Sequence, residues 1–224
     1  MKIYADTSDI ESITELNEDQ FIAGFTTNPT LMRKASVRDY ESFARQVLEI
    51  TDKPVSFEVI ADDFNEMERQ ARKIASWGNN VYVKIPITNT KGELSHALIE
   101  RLLAKGVKVN VTAITRETQV GTIPISKTPM IVSVFAGRIA DTGVDPVPII
   151  EEIRDMCLRP VEILWASARE IFNVKQAEAA GCDIITLSPD LIKKLDLYGK
   201  DLREYSLETV QQFYDDAKAA GYRL

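Results

Sequence analysis

Lys84 lies in the run Val81-Tyr82-Val83-Lys84-Ile85-Pro86-Ile87, which has the β-branched enrichment of a buried strand. Side chains alternate along a strand, so Val81, Val83, Ile85 and Ile87 share one face and Tyr82, Lys84 and Pro86 the other. A lysine on the inner face of a buried strand is costly unless it is paired or neutral. A neutral amine is a nucleophile toward carbonyls. The ordinary alternative is a strand-end lysine that snorkels to water or pairs with a carboxylate.

Other strand-like runs also close on polar residues of matching parity. Asp6 ends the first. Thr26-Thr27-Asn28-Pro29 carries the second out to Asn28, and Glu58 lies opposite in parity to Phe57 at the end of the third. Further on, Asn110 and Thr112 share a face, Ser133 shares one with Phe135 ahead of Gly137-Arg138, and Ser167 shares one with Arg169. Each alone has a plain structural explanation. Asp6 and Asn28 could cap the following helix, Glu58 could pair with Lys84, Thr112 and Ser133 could be routine strand residues, and Arg138 could be solvated. Seven consecutive strands ending this way, in register with one pocket, are hard to explain as packing, because buried ionisable groups need a reason.

Together these residues suit Schiff-base chemistry on a ketone. Attack by a lysine amine gives a carbinolamine, and loss of water gives an iminium. That electron sink lets the adjacent C3–C4 bond break and leave an enamine. Asp6 is the candidate base for the C4 hydroxyl, and Glu58 with Thr112 could hold a water for proton shuttling. Asn28, Asn110 and Ser133 suit substrate hydroxyls. Arg138, Ser167 and Arg169 make a compact anion site that matches a terminal phosphate. This scheme needs no metal and no organic cofactor.

The elements that must position these groups alternate from end to end. Strands are expected near Lys2–Ala5, Phe21–Thr26, Pro54–Val59, Asn80–Ile85, Val107–Thr112, Met130–Phe135, Val161–Ala166 and Cys182–Leu187. Amphipathic helices are expected over Tyr40–Ile50, Asn65–Trp77, Gly92–Leu103, Pro148–Cys157 and Ile171–Ala180. Eight strands, each followed by a helix, predict a single (β/α)8 barrel domain over residues 1–224, with its active site at the strand C-termini. A doubly wound open sheet is the alternative, but no GxGxxG occurs. Gly121, Pro124 and Pro129 predict a short helix and an irregular loop in the fifth unit. An extra helix is expected over about 206–220, with Leu207, Val210, Phe213 and Ala217 at helical spacing and Ser206 as N-cap.

Composition narrows the function classes. A net charge of −7 argues against a broad nucleic-acid surface. No apolar stretch is long enough to span a membrane and the N-terminus runs straight into a strand pattern, so a cytoplasmic protein is expected. His96 is the only histidine, which leaves no HExxH, no multi-histidine metal site and little room for a Ser-His-Asp triad; it is expected on a helix surface. Cys157 and Cys182 have no metal spacing and read as reduced packing residues.

The chain resembles the transaldolase family, specifically its short members related to fructose-6-phosphate aldolase. The resemblance runs from the first strand to the last helix. It is carried by Tyr4-Ala5-Asp6-Thr7-Ser8, Thr26-Thr27-Asn28-Pro29, Val83-Lys84-Ile85-Pro86, Asn110-Val111-Thr112-Ala113, Phe135-Ala136-Gly137-Arg138 and Ala166-Ser167-Ala168-Arg169. It implies a (β/α)8 barrel, Lys84 as the Schiff-base lysine and Asp6 as the acid/base at C4. It also implies Glu58 with Thr112 around a catalytic water, and phosphate binding by Arg138, Ser167 and Arg169. Aldolase-type members carry glutamine, tyrosine, alanine and lysine where this chain has Glu58, Phe135, Ser133 and Arg169. All four residues match transaldolase instead. The expected activity is therefore transfer of a dihydroxyacetone unit from fructose 6-phosphate or sedoheptulose 7-phosphate to erythrose 4-phosphate or glyceraldehyde 3-phosphate.

Val134 stands where the family often has proline, and Ala168 where transaldolases often have phenylalanine. These departures keep open a fructose-6-phosphate aldolase, or a transaldolase acting on a ketose with another C6 anion such as a sulfonate. A non-catalytic barrel that only binds sugar phosphates is the alternative from another class. The last helix resembles the one that packs across subunits in short members, which implies a homo-oligomer, a pentamer or decamer.

Overall fold

Inward-pointing side chains change character along the strands, apolar at the N-terminal end and polar at the C-terminal end. Tyr4, Tyr82, Ile131, Leu164 and Ile184 pack together inside the sheet. Two positions further along the strands of Tyr4, Tyr82, Ile131 and Ile184 stand Asp6, Lys84, Ser133 and Thr186. Period-two alternation keeps each pair on one face, so a packed apolar layer forms the floor beneath a polar one.

The strands are β1 (Lys2–Asp6), β2 (Ile22–Thr26), β3 (Val55–Glu58), β4 (Val81–Pro86), β5 (Val109–Ile114), β6 (Met130–Val134), β7 (Glu162–Trp165) and β8 (Ile184–Leu187). They pair in parallel and in chain order into a closed barrel. β1 pairs with both β2 and β8, which rules out the open-sheet alternative. The computed structural model describes residues 1–121, 126–157 and 160–223. Residues Met1–Ile192 form one compact unit, which holds the barrel, and Lys193–Leu224 form a second.

Helices α1 (Ile10–Asn17), α2 (Pro29–Lys34), α3 (Tyr40–Ile50), α4 (Phe64–Ala75), α5 (His96–Ala104), α6 (Ala136–Ala140), α7 (Pro146–Met156), α8 (Phe172–Ala179), α9 (Pro189–Lys193) and α10 (Leu202–Ala219) follow the strands. Side-chain caps set the starts of several of them. Asp9, Asp39, Asp63 and Asp145 each accept an amide of the first turn of α1, α3, α4 and α7. α10 begins one turn before the expected Ser206, because Asp201 accepts the amides of Arg203 and Glu204. The fifth unit has no α-helix between β5 and β6 among the described residues. Its expected short helix is a single 3₁₀ turn at Glu117–Gln119, and Pro124 lies outside the described residues. His96 is half-buried rather than on the surface, with Nε2 2.8 Å from the Gln119 carbonyl. Cys157 and Cys182 are free and buried, and burial pushes both thiols up, that of Cys182 to about 12, away from the reactive thiolate form.

Gly24 on β2 is required by the floor. A Cβ there would lie 2.6 Å from the Tyr4 ring and 2.8 Å from the Pro54 carbonyl. No helix among the described residues is long and apolar enough to cross a membrane.

Candidate active site

The strand C-termini surround a cavity of about 500 Å³, within the size range of small-molecule sites. Lys84 is at its base, 5% exposed. Strand register puts Glu58 directly beside Lys84, and Lys84 beside Asn110. The Lys84 ammonium donates to the Thr27 carbonyl at 3.0 Å and lies 3.2 Å from Glu58 Oε2. The Glu58 pairing weighed from sequence is therefore present, and it sits inside the cavity. A lysine this buried, with a carboxylate and a carbonyl on it, satisfies the requirement that a buried charge be paired.

Asp6 faces the same space from β1. Burial holds its carboxyl above the usual carboxylate range; the nearby Lys84 charge and a hydrogen bond from Thr26 oppose that shift. Thr26 Oγ1 donates to Asp6 Oδ1 at 2.7 Å and lies 2.6 Å from Thr186 Oγ1. A hydroxyl has one proton, so Thr186 donates to Thr26 and Thr26 to Asp6. Asp6 caps no helix; Asp9 does that for α1.

Asn28 both caps and lines. Its Oδ1 accepts the Leu31 amide at 2.9 Å at the start of α2, which leaves the Nδ2 amide as the group it could offer a substrate. Asn110 is fully buried and not among the residues lining the cavity. Its Nδ2 donates to Ser56 Oγ at 3.0 Å, and its Oδ1 accepts from Ser133 Oγ at 2.7 Å. Ser133 lines the cavity with its proton committed to Asn110, so toward a ligand it presents lone pairs. Thr112 Oγ1 lines the cavity, is buried, and has no hydrogen-bond partner among the described residues.

On the β6–β7 side, the Arg138 guanidinium lies over the Phe135 ring at 5.2 Å. Arg169 pairs with Asp141, both half-exposed. Gly137 allows this corner to close: a Cβ there would fall 1.7 Å from the Ser167 carbonyl oxygen. Ser167 has φ +63°, and so does Ala113 beside Thr112 at the β5 bulge. Both are non-glycine residues in the left-handed region, and both line the cavity. Strain of this kind clusters at functional sites.

Ten of the eleven residues singled out in the sequence thus line one cavity, and Asn110 stands behind its wall. Parity missed Thr26, Thr186, Ser56 and Tyr40. Thr186 had a readable signal, because it alternates with Ile184 on β8 as Lys84 does with Tyr82 on β4. Tyr40 had none, since it opens a helix far from β3 in sequence.

A (β/α)8 barrel with a polar cavity at its strand C-termini belongs to the class of folds whose active sites form there. The Transaldolase/Fructose-6-phosphate aldolase family profile matches residues 3–224. A probable transaldolase of Hyphomonas neptunium is 36% identical over 227 aligned positions, covering 100% of both chains. One from Chelativorans sp. is 37% identical, covering 87% of this chain and 88% of the relative. One from Streptococcus agalactiae is 33% identical, covering 97% and 99%. The chain belongs to the transaldolase/fructose-6-phosphate aldolase family. Among solved structures it is similar to orotidine 5'-phosphate decarboxylase from Pyrococcus horikoshii, with TM-score 0.56, 17% identity, and 91% and 94% of the two chains covered. It is also similar to a chain of the tryptophan synthase complex from Pyrococcus furiosus, with TM-score 0.56, 11% identity, and 91% and 92% covered. At these identities the likeness is one of fold alone.

Proposed function

We propose that this protein is a Schiff-base transaldolase. It moves a dihydroxyacetone unit from fructose 6-phosphate or sedoheptulose 7-phosphate to an aldose phosphate such as erythrose 4-phosphate or glyceraldehyde 3-phosphate. The observation that carries the reading is the buried Lys84 amine in the cavity, 3.0 Å from the Thr27 carbonyl and 3.2 Å from Glu58 Oε2. Binding alone calls for no such lysine, because a buried cation is costly.

In this reading Glu58 takes a proton from the Lys84 ammonium, and the freed amine attacks the ketose C2 to give the carbinolamine. Glu58 returns that proton to the carbinolamine hydroxyl, which leaves as water and yields the iminium. Asp6 takes the C4 hydroxyl proton, the C3–C4 bond breaks, its electrons go into the enamine and the aldehyde departs. A carboxyl raised by burial is a stronger base once ionised, which suits Asp6 to that step. The Thr112 hydroxyl, without a hydrogen-bond partner among the described residues, suits a water or substrate oxygen held against Glu58. Arg138, Ser167 and Arg169 take the terminal phosphate, which replaces Asp141 on Arg169.

Transfer is favoured over release because Phe135 presents no hydroxyl to orient water against the enamine. The test is product analysis with fructose 6-phosphate, with and without erythrose 4-phosphate. Sedoheptulose 7-phosphate should form only with the acceptor, at a rate at least about tenfold above any release of free dihydroxyacetone. Release at equal rates without acceptor would make the protein an aldolase. Leu207, Val210 and Phe213 are exposed along α10 and fit a second copy of the chain, so we propose a homo-oligomer.

A further inference from the structure

Glu58 ends β3 where the neighbouring strand has already left. The Ser56 carbonyl of β3 faces β2 and accepts the Thr27 amide at 3.2 Å. The amides of Val55 and Val59 face β4 and donate to the Asn80 and Lys84 carbonyls at 3.0 and 3.1 Å. Alternation therefore turns both backbone groups of Glu58 toward β2. But β2 stops at Thr26, and Asn28 turns the chain into α2. The Tyr40 hydroxyl from α3 stands in the missing strand's place. It donates to the Glu58 carbonyl at 2.8 Å and accepts from the Glu58 amide at 2.7 Å. One oxygen thus satisfies both orphaned backbone groups. The Tyr40 ring is held edge-on against Phe57, 6.4 Å between centroids, and Trp77, 5.7 Å. Burial pushes the phenol well above its ordinary value, so it stays protonated and makes both bonds. Tyr40 is not among the residues that line the cavity.

We propose that Tyr40 is a positioning residue: it fixes the backbone from which Glu58 reaches the Lys84 amine, and thereby the proton transfers that make and break the imine. The inference rests on the Schiff-base reading and goes beyond it by naming what holds the shuttle carboxylate in place. A displacement of about 1 Å at such a group can cost up to about a hundredfold in rate. An unanchored strand end permits a displacement of that kind.

The test is Tyr40→Phe, which keeps the ring packing and removes both hydrogen bonds, measured alone and in a Glu58→Gln background. The expected result is a fall in kcat of roughly tenfold or more with KM within about twofold, and a fall in the rate of borohydride-trapped imine formation. In the Glu58→Gln background Tyr40→Phe should cost nothing further, because it acts through the lost carboxylate. An unchanged kcat overturns the proposal, even with a lowered Tm, and so does an equal loss in both backgrounds. If the unaltered protein forms no imine, the Schiff-base reading falls and takes this one with it. If the unaltered protein transfers and Tyr40→Phe matches it, only the Tyr40 proposal falls. Should Tyr40→Phe not fold, hydrogen exchange at the Glu58 amide of the unaltered protein decides. Strong protection is expected, and exchange as fast as an exposed loop amide overturns the proposal.

Discussion

Asp6 is held above the usual carboxylate range because it is buried, with the Lys84 charge and the Thr26 hydroxyl only partly compensating. The folded protein therefore binds this proton more readily than the unfolded chain does. Folding stability falls as pH rises from the unfolded pKa through the folded one, and the whole penalty is present above that window. Asp6→Asn keeps an oxygen for Thr26 and removes the penalty. It should raise Tm at neutral pH, and the two proteins should converge as pH falls toward the ordinary carboxylate range, about 4. Turnover should drop by at least about a hundredfold. Thermal melts across pH check the first part, and a Tm gain that persists unchanged into acid would refute the linkage. The residues that emerge from the sequence share one property. Lys84, Glu58 and Ser133 are polar residues at inward positions of apolar strands, where strand parity alone marks them. Asn110 obeys the same parity and yet lies behind the wall, because Ser56 and Ser133 bind both ends of its amide. Parity gives a side and not a depth.

At the scale of elements, strand ends and helix starts part company with the hydrophobic pattern where a single side chain or turn decides them. Asp201 starts α10 before its apolar repeat begins, and β5 runs on through Ala113 to Ile114 by way of a left-handed bulge residue. Helix α3 coincides with its pattern, since Asp39 caps it at the first periodic residue. The β6–α6 corner is set by close approach, which no periodicity reports: Gly137 lies against the Ser167 backbone and brings Arg138 and Ser167 to one rim. Gly137→Ala should destabilise by about 3 kcal/mol, as overpacking against backbone does. In whatever folds, the KM for a phosphorylated donor should rise several-fold with kcat less affected. Denaturant melts and steady-state kinetics check both, and wild-type stability in Gly137→Ala would show that the corner does not need the glycine.

At the scale of the molecule, the barrel closes through eight strands in chain order, seven of them followed by an α-helix among the described residues, and that order is legible in the alternation of the sequence. A partner for α10 is not legible in the sequence, because an amphipathic face names none. Val210→Glu with Phe213→Glu should convert a homo-oligomer to single chains by light scattering. An unaltered protein that already elutes as a monomer would contradict the assembly. One amine, that of Lys84, decides the proposed chemistry. Incubation with fructose 6-phosphate, borohydride reduction and peptide mass analysis should find one covalent adduct, on the peptide that contains Lys84, and none in Lys84→Met. Donor turnover with no reducible adduct, or an adduct on any other lysine, would contradict the account.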